Sequence, residues 1–432
     1  MAEPVPHRSH LMPHGLRRMV GRDPGEHERA STPLELLYDL TIVVAFSVSG
    51  SNFAHAVAEG HIGSGIVAFL FSAFAVVWAW VGFTWFASAY DTDDWLMRAL
   101  TLLQMVGVVV LSLGLADVFH GFESWHLDNR IMVAGYVLMR ISMIALWTRA
   151  ARNNPEHAPT LMSLVRIIGL AQIGWIVTGF VHLPAGVLWP LVGLLYVLEI
   201  GGYVYSEHRA GTPWHPGHIA ERYSLLVIIS LGEIVLGTTV AVEAVVGEVG
   251  WSVQAVVIVA AGVSLAFGIW WAYFALPWAE ALRLRPSASF LFGYGHLPLY
   301  PAIAAIGAGL HVAAYYIDEV TDVRETVVME VMAVPVLVFI LVLFGLARLM
   351  LPGRDRFHAV LLAVSVALSA ASVLMAHLGV PLGWCIVVLM LTPWVTVVGY
   401  ETRGHHHVSQ VVERIRQEAE GTSPGSASAT RD

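Results

Sequence analysis

Lysine is absent: all 23 basic residues of the 432-residue chain are arginines. Many of them stand at ordinary helix ends, so the bias reads as coding composition, and with a net charge of −9 it speaks against a nucleic-acid partner. Cysteine is nearly absent too. The single Cys385 lies in an apolar run, which excludes an intrachain disulfide framework and a cysteine-based zinc site. Charged residues make up only 13% of the chain, about half the share expected of a soluble globular protein. Residues 1–30 lack the basic, apolar and small-residue pattern of a secretory signal; Pro, His and Arg dominate them instead. Walker loops and His-Glu-x-x-His patterns are missing, and no nucleophile elbow is obvious. ATP-driven pumping by this chain alone is therefore disfavoured, an enzyme is the less favoured class, and no cofactor or metal is implied.

What is present is hydrophobicity. Apolar residues make up 57% of the chain, in runs of 20 or more that recur from Leu36 to Tyr400, each about long enough to cross a bilayer as a helix. Twelve spans follow, at 36–57, 64–90, 97–120, 131–150, 160–182, 184–205, 220–241, 252–276, 289–317, 326–350, 356–378 and 381–400. In hydrocarbon each segment must satisfy its own backbone, and these runs are too long and too continuously apolar for barrel strands. The expected fold is an all-α polytopic membrane protein whose surrounding partner is the lipid bilayer.

Arginine counting tests the number of spans independently. Nineteen of the 23 arginines fall in the N-terminal segment, the C-terminal tail and the connections after even-numbered spans, the three span residues flanking each connection included, against two, Arg130 and Arg324, on the other side. Both termini are thus expected inside, in a bacterial cytoplasmic membrane. In the tail, Val408, Val411, Val412 and Ile415 have helical spacing and predict a short surface helix, whereas 421–432 reads as disordered. The neighbouring His405, His406 and His407 read as solvated rather than metal-binding.

The halves show a weak likeness. Glu35 and Glu221 each open a span entering from the inner side, and Trp78 and Trp270 follow at a similar offset. Six helices followed by six in the same orientation would form parallel repeats. The expected organisation is a tail at 1–30, repeats at 31–210 and 211–402, and a second tail at 403–432. The same offset aligns two runs of small polar residues, 47–52 and 237–239, which mark either a midplane binding site or close helix packing.

Ionisable groups inside the membrane are costly and demand an explanation. Arg140 lies mid-span with Tyr136 one turn away, and Glu233 lies near the middle of the seventh span; a pair between them would reduce both penalties. Asp39 sits one turn inside the first span above Glu35, and Glu221 and Arg222 stand where they can pair with either. His296, flanked by Tyr294 and the closely spaced Pro298 and Pro301, is placed beside an expected helix break. Asp117 and His120 read as an interfacial cap, while Glu199, His311 and His377 are lesser candidates.

These residues also carry a family likeness. Thr-Pro-Leu-Glu-Leu-Leu-Tyr-Asp-Leu at 32–40, Asp-Thr-Asp-Asp at 91–94, Tyr136 with Arg140, Glu-Arg-Tyr-Ser-Leu-Leu-Val-Ile-Ile-Ser-Leu-Gly-Glu at 221–233, Trp-Trp-Ala-Tyr-Phe at 270–274 and Tyr-Gly-His-Leu-Pro at 294–298 occur in order. Over roughly 30–400 the chain resembles the bacterial low temperature requirement A family, departing from it at Tyr38, where a Phe is expected, and at Ile234, where a small polar residue is expected. The resemblance implies a multi-spanning membrane protein tied by name to growth in the cold, with no catalytic residues to carry over. Two functional readings follow. One is a secondary transporter or ion-coupled carrier of an unidentified small molecule or ion, using Asp39, Arg140, Glu233 and His296. The other is a non-transporting scaffold, sensor or intramembrane lipid-acting enzyme.

Overall fold

The structure, a computed structural model, describes residues 15–26, 29–352 and 356–421. Among them the regular secondary structure is helical throughout, and twelve helices are long and apolar enough to cross a membrane. They are α1 (Pro33–Ala58), α2 (Ile62–Tyr90), α3 (Trp95–Glu123), α4 (Arg130–Asn153), α5 (Ala158–Phe180), α6 (Ala185–Ala210), α7 (Pro216–Glu248), α8 (Val253–Leu284), α9 (Pro286–Ile317), α10 (Glu325–Met350), α11 (Arg356–His377) and α12 (Leu382–Glu418). The count agrees with the sequence reading, and most helices run a few residues beyond their expected ends.

Local chemistry sets those ends. The Thr32 side chain accepts from the Glu35 amide while Glu35 returns a bond to the Thr32 amide, and Pro33 follows at the first helical position. Asp94, His215 and Ser252 cap α3, α7 and α8 through their side chains. The expected break in α9 is present: helix stops at Gly295 and resumes at Leu299, with His296 and Pro298 between. By contrast α1 and α7 run unbroken through 47–52 and 237–239. Gly50 packs on Ala304 and Ala308 of α9, and a Cβ on Gly237 would stand 2.5 Å from the Gly307 carbonyl oxygen. The small residues serve close packing of α1 and α7 on α9, not paired interruptions of the helices.

α9 and α2 are the most enclosed helices, and α6 and α11 the least. Outward positions such as Leu170, Leu194, Val197 and Leu374 are apolar and exposed, the reverse of a soluble protein. Beyond Gly399, α12 winds through a wide turn at Tyr400–Gly404 into the amphipathic stretch His405–Gly421, which buries Val408 and Val411. That is the expected surface helix; the last eleven residues of the tail, 422–432, lie outside the described residues. The described part of the N-terminal segment packs on the helices. Gly21 donates to Asn154 at 2.8 Å, Arg22 donates to the Ala89 carbonyl at 2.9 Å, and Met19 is fully buried; residues 1–14 lie outside the described set.

Candidate functional site

The capping box that starts α1 also aims Glu35 inward, and one helical turn on the same face carries Asp39 beside it. Asp39 Oδ1 accepts from Arg222 Nη2 at 2.6 Å and from Trp80 Nε1 at 2.7 Å. Arg222 Nη1 lies 3.0 Å from Glu35 Oε1, which is also 3.1 Å from His218 Nε2 and 3.7 Å from Arg29 Nη2. Arg29 donates to the carbonyls of Ala87 and Ser88 at the end of α2 and faces Asp91 at 3.8 Å. Three carboxylates, two guanidiniums and one imidazole thus share a buried network across α1, α2 and α7. With all three carboxylates ionised and His218 neutral it carries one excess negative charge, which a proton on His218 or on one carboxyl would cancel; His218 Nδ1 lies 3.4 Å from Arg29 Nη1. Burial pulls Arg29 below the ordinary guanidinium range against the pull of Glu35 and Asp91, and pushes Asp91 upward, with Glu35 adding to the push. Asp39 Oδ2 has no hydrogen-bond partner among the described residues. Glu221, the other candidate here, points away and accepts from the Ser31 amide at 3.2 Å.

Beside this network, Asp94 caps α3 and accepts from Arg149 and from the Arg17 amide. Burial alone would raise its carboxyl, but Arg149 and the Met97 and Arg17 amides outweigh that and bring it down to about 2.

The second ion pair corrects an expectation. Arg140 does not meet Glu233; its Nη2 donates to both oxygens of Glu199, at 2.7 and 2.8 Å, and Trp78 Nε1 donates to the same carboxylate at 2.8 Å. The guanidinium lies 4.9 Å from the Tyr136 ring centroid, and the Tyr136 hydroxyl donates to the Ala75 carbonyl at 3.2 Å. The physical reason is placement. Arg140 faces α2 and α6, so the nearest acid is Glu199, while Glu233 points into the junction of α1, α7 and α9.

At that junction Glu233 is 7% exposed and the Ser47 hydroxyl of α1 faces its carboxylate. A Cβ on Gly307 would come within 2.5 Å of the Glu233 carbonyl oxygen, so the backbones of α7 and α9 meet there with almost no clearance. No described cation pairs with Glu233. Eleven residues separate it from Arg222 on one stripe of α7, which is about 16 Å of helix.

His296 is fully buried at the α9 break. Its Nδ1 faces the Phe292 carbonyl at 2.7 Å and must donate, which leaves Nε2 to accept from the Tyr273 hydroxyl at 2.9 Å. The rings of Phe292, Tyr223 and Tyr300 surround it. Trp80 packs on Tyr223 and Tyr300, so an aromatic wall separates His296 from Asp39. The four principal candidates therefore occupy four positions around one interior rather than a shared contact. Tyr294 donates to the Ile200 carbonyl at 2.9 Å and joins α9 to α6. Of the lesser candidates, His120 pairs with Glu123 at an exposed helix end, His377 is exposed, and His311 is half-buried with its Nε2 unpartnered among the described residues. Among the described residues no group of three His, Cys, Asp or Glu side chains is placed to hold a metal ion.

Sequence reasoning missed Arg29, His218 and the roles of Trp78 and Trp80 as carboxylate donors. Their only signal was an unusual density of tryptophan in α2.

Comparison with known proteins agrees with this architecture. Residues 30–393 match the profile of the bacterial low temperature requirement A protein (LtrA). An uncharacterized protein, RA0937, of Rhizobium meliloti (strain 1021) is 27% identical over 318 residues, covering 67% of this chain and 71% of that protein. No solved structure matches. The matched stretch contains Asp39, Arg140, Glu199, Arg222, Glu233 and His296, and the chain belongs to the bacterial low temperature requirement A family of multi-pass membrane proteins.

Proposed function

We propose that this protein is a secondary transporter or ion-coupled carrier of the bacterial cytoplasmic membrane, with both termini inside, and that Glu233 is its proton or cation ligand. One observation carries the reading. Arg140 is matched by Glu199 and Arg222 by Asp39 and Glu35, whereas Glu233 lies in the membrane interior with no described counter-charge. A carboxylate so placed needs a proton, a cation or water to neutralise or solvate it. Its position between α1 and α7, the first helices of the two six-helix halves read from the sequence, suits a group that responds to movement of one half against the other. The network around Asp39 and Arg222 ties the same two helices together nearer their N-terminal ends.

The test uses purified protein in liposomes carrying internal pH-reporting and sodium-reporting dyes, with an imposed membrane potential and either proton or sodium gradients. Wild type is expected to pass protons or sodium and Glu233→Gln to lose that flux. Equal flux in Glu233→Gln removes the coupling role. A wild type silent to both ions removes the reading itself.

A further inference from the structure

A second carboxylate without an ion pair among the described residues is Glu207, near the C-terminal end of α6, with the imidazoles of His157 and His208 in its neighbourhood. Its Oε1 accepts from the Thr212 hydroxyl at 2.9 Å, and no described cation pairs with it. The carboxylate is half-buried and lines a cleft of about 50 Å³ beneath the connection between α6 and α7. Aromatic rings make up much of that cleft. Trp85 and Trp214 meet edge to face with centroids 5.1 Å apart on one side. Deeper in, Trp78 packs against Tyr203 at 5.4 Å and Tyr294 at 5.7 Å. Trp78 and Trp85 are seven residues apart on α2, about 10 Å along the axis, so the rings line a depth suited to a small molecule. No arginine or histidine side chain lines the cleft.

We propose that this cleft binds a small organic cation, a quaternary or protonated amine. The faces of Trp and Tyr rings carry partial negative charge and attract such a cation when water is excluded. Glu207 is the one carboxylate that lines the cleft, and a bound ammonium would give it an ion-pair partner that no described residue supplies. An anion would find no arginine or histidine among the lining residues and would lie against Glu207. A neutral aromatic would gain the stacking but leave the carboxylate uncompensated. The rings are held independently of any ligand: Trp85 donates to the Tyr223 hydroxyl at 2.9 Å, Trp78 donates to Glu199, and Tyr294 donates to the Ile200 carbonyl. The site is thus largely preformed. The cleft also lies between the two halves, because α2, α4, α5 and α6 form one wall and the start of α9 the other. As a binding site it stands apart from Glu233; as the site of the transported cargo it rests on the transport reading above.

Equilibrium binding of labelled choline to the purified full chain in detergent is the test, with tetramethylammonium and the uncharged isostere 3,3-dimethylbutanol as competitors. Saturable choline binding is expected, displaced by tetramethylammonium and at least about tenfold less well by the neutral isostere. Glu207→Gln and Trp214→Leu should each weaken it about tenfold or more, while Trp214→Phe, which keeps a ring, recovers part of the affinity. Glu233→Gln should bind choline like wild type, so a failed flux assay and a failed binding assay indict different claims. Absence of saturable binding to the wild type, equal competition by the neutral isostere, or affinity unchanged in both Glu207→Gln and Trp214→Leu would overturn the proposal.

Discussion

Arg140 and Glu199 are 59 residues apart in the chain and bind through a single guanidinium nitrogen shared between two carboxylate oxygens. Removing one partner leaves the other charge buried and alone, so Arg140→Met or Glu199→Met is expected to cost about 3–5 kcal/mol. The double variant Arg140→Met with Glu199→Met should lose less than the sum of the single losses, because it leaves no uncompensated charge. Thermal unfolding of the purified protein in detergent measures all three, and strict additivity would show that the pair does not act as one. Asp94 offers a pH test. Its folded carboxyl is depressed to about 2, so its stabilising contribution is complete above the ordinary carboxylate range near 4 and fades as pH falls toward 2. Melting temperature should therefore decline more steeply with acidification, below about pH 4, in wild type than in Asp94→Asn. At this scale the four ionisable groups that the sequence singles out, Asp39, Arg140, Glu233 and His296, are all buried. Their partners are only partly legible: the sequence offers Glu221 and Arg222 to either Asp39 or Glu35, and Arg222 meets both, while the expected partner of Arg140, Glu233, gives way to Glu199.

Between helices, clearance matters more than charge. Gly307 is the position where α9 lets α7 approach, and an added methyl group would meet the Glu233 carbonyl oxygen at 2.5 Å. Gly345 of α10 has nothing within 4 Å of an added Cβ. Glycine within a helix costs about 1 kcal/mol relative to alanine, so Gly345→Ala should be neutral or stabilising. Gly307→Ala should destabilise by about 1–3 kcal/mol through overpacking. The two variants compared by thermal unfolding test whether the α1, α7 and α9 junction is as tight as described; equal melting temperatures would refute it. The runs at 47–52 and 237–239 explain why the sequence left this open. Small residues loosen a helix or let it pack closely, and only the neighbour distinguishes the two. Proline is less ambiguous. Pro298 and Pro301 announced the break at His296 because each lacks an amide donor wherever it is placed.

For the whole molecule, the arginine distribution makes a claim about sidedness. In a Cys385→Ala background, a membrane-impermeant maleimide should label Val320→Cys in intact cells, and Glu156→Cys only after the membrane is opened. Both positions are exposed in connections on opposite faces, after α9 and after α4. The inverse pattern would invert the orientation, and labelling of both from one side would contradict the number of spans between them. The number, length and all-helical character of the spans were determined by the sequence itself, because hydrocarbon offers no hydrogen-bond partners and each segment must complete its own backbone. The costly charges were legible for the same reason, since a lone ionisable group in an apolar run is conspicuous whatever its surroundings. Tertiary structure alone decided which charges cancel. Glu199 rather than Glu233 neutralises Arg140, His218 and Arg29 join Glu35, and tryptophans of α2 donate to two carboxylates. It also brought Glu207 under a roof of rings drawn from α2, α6, the α6–α7 connection and α9. Those pairings depend on which faces of distant helices meet, and a hydrophobic pattern that is apolar on nearly every face of a membrane helix does not encode that choice.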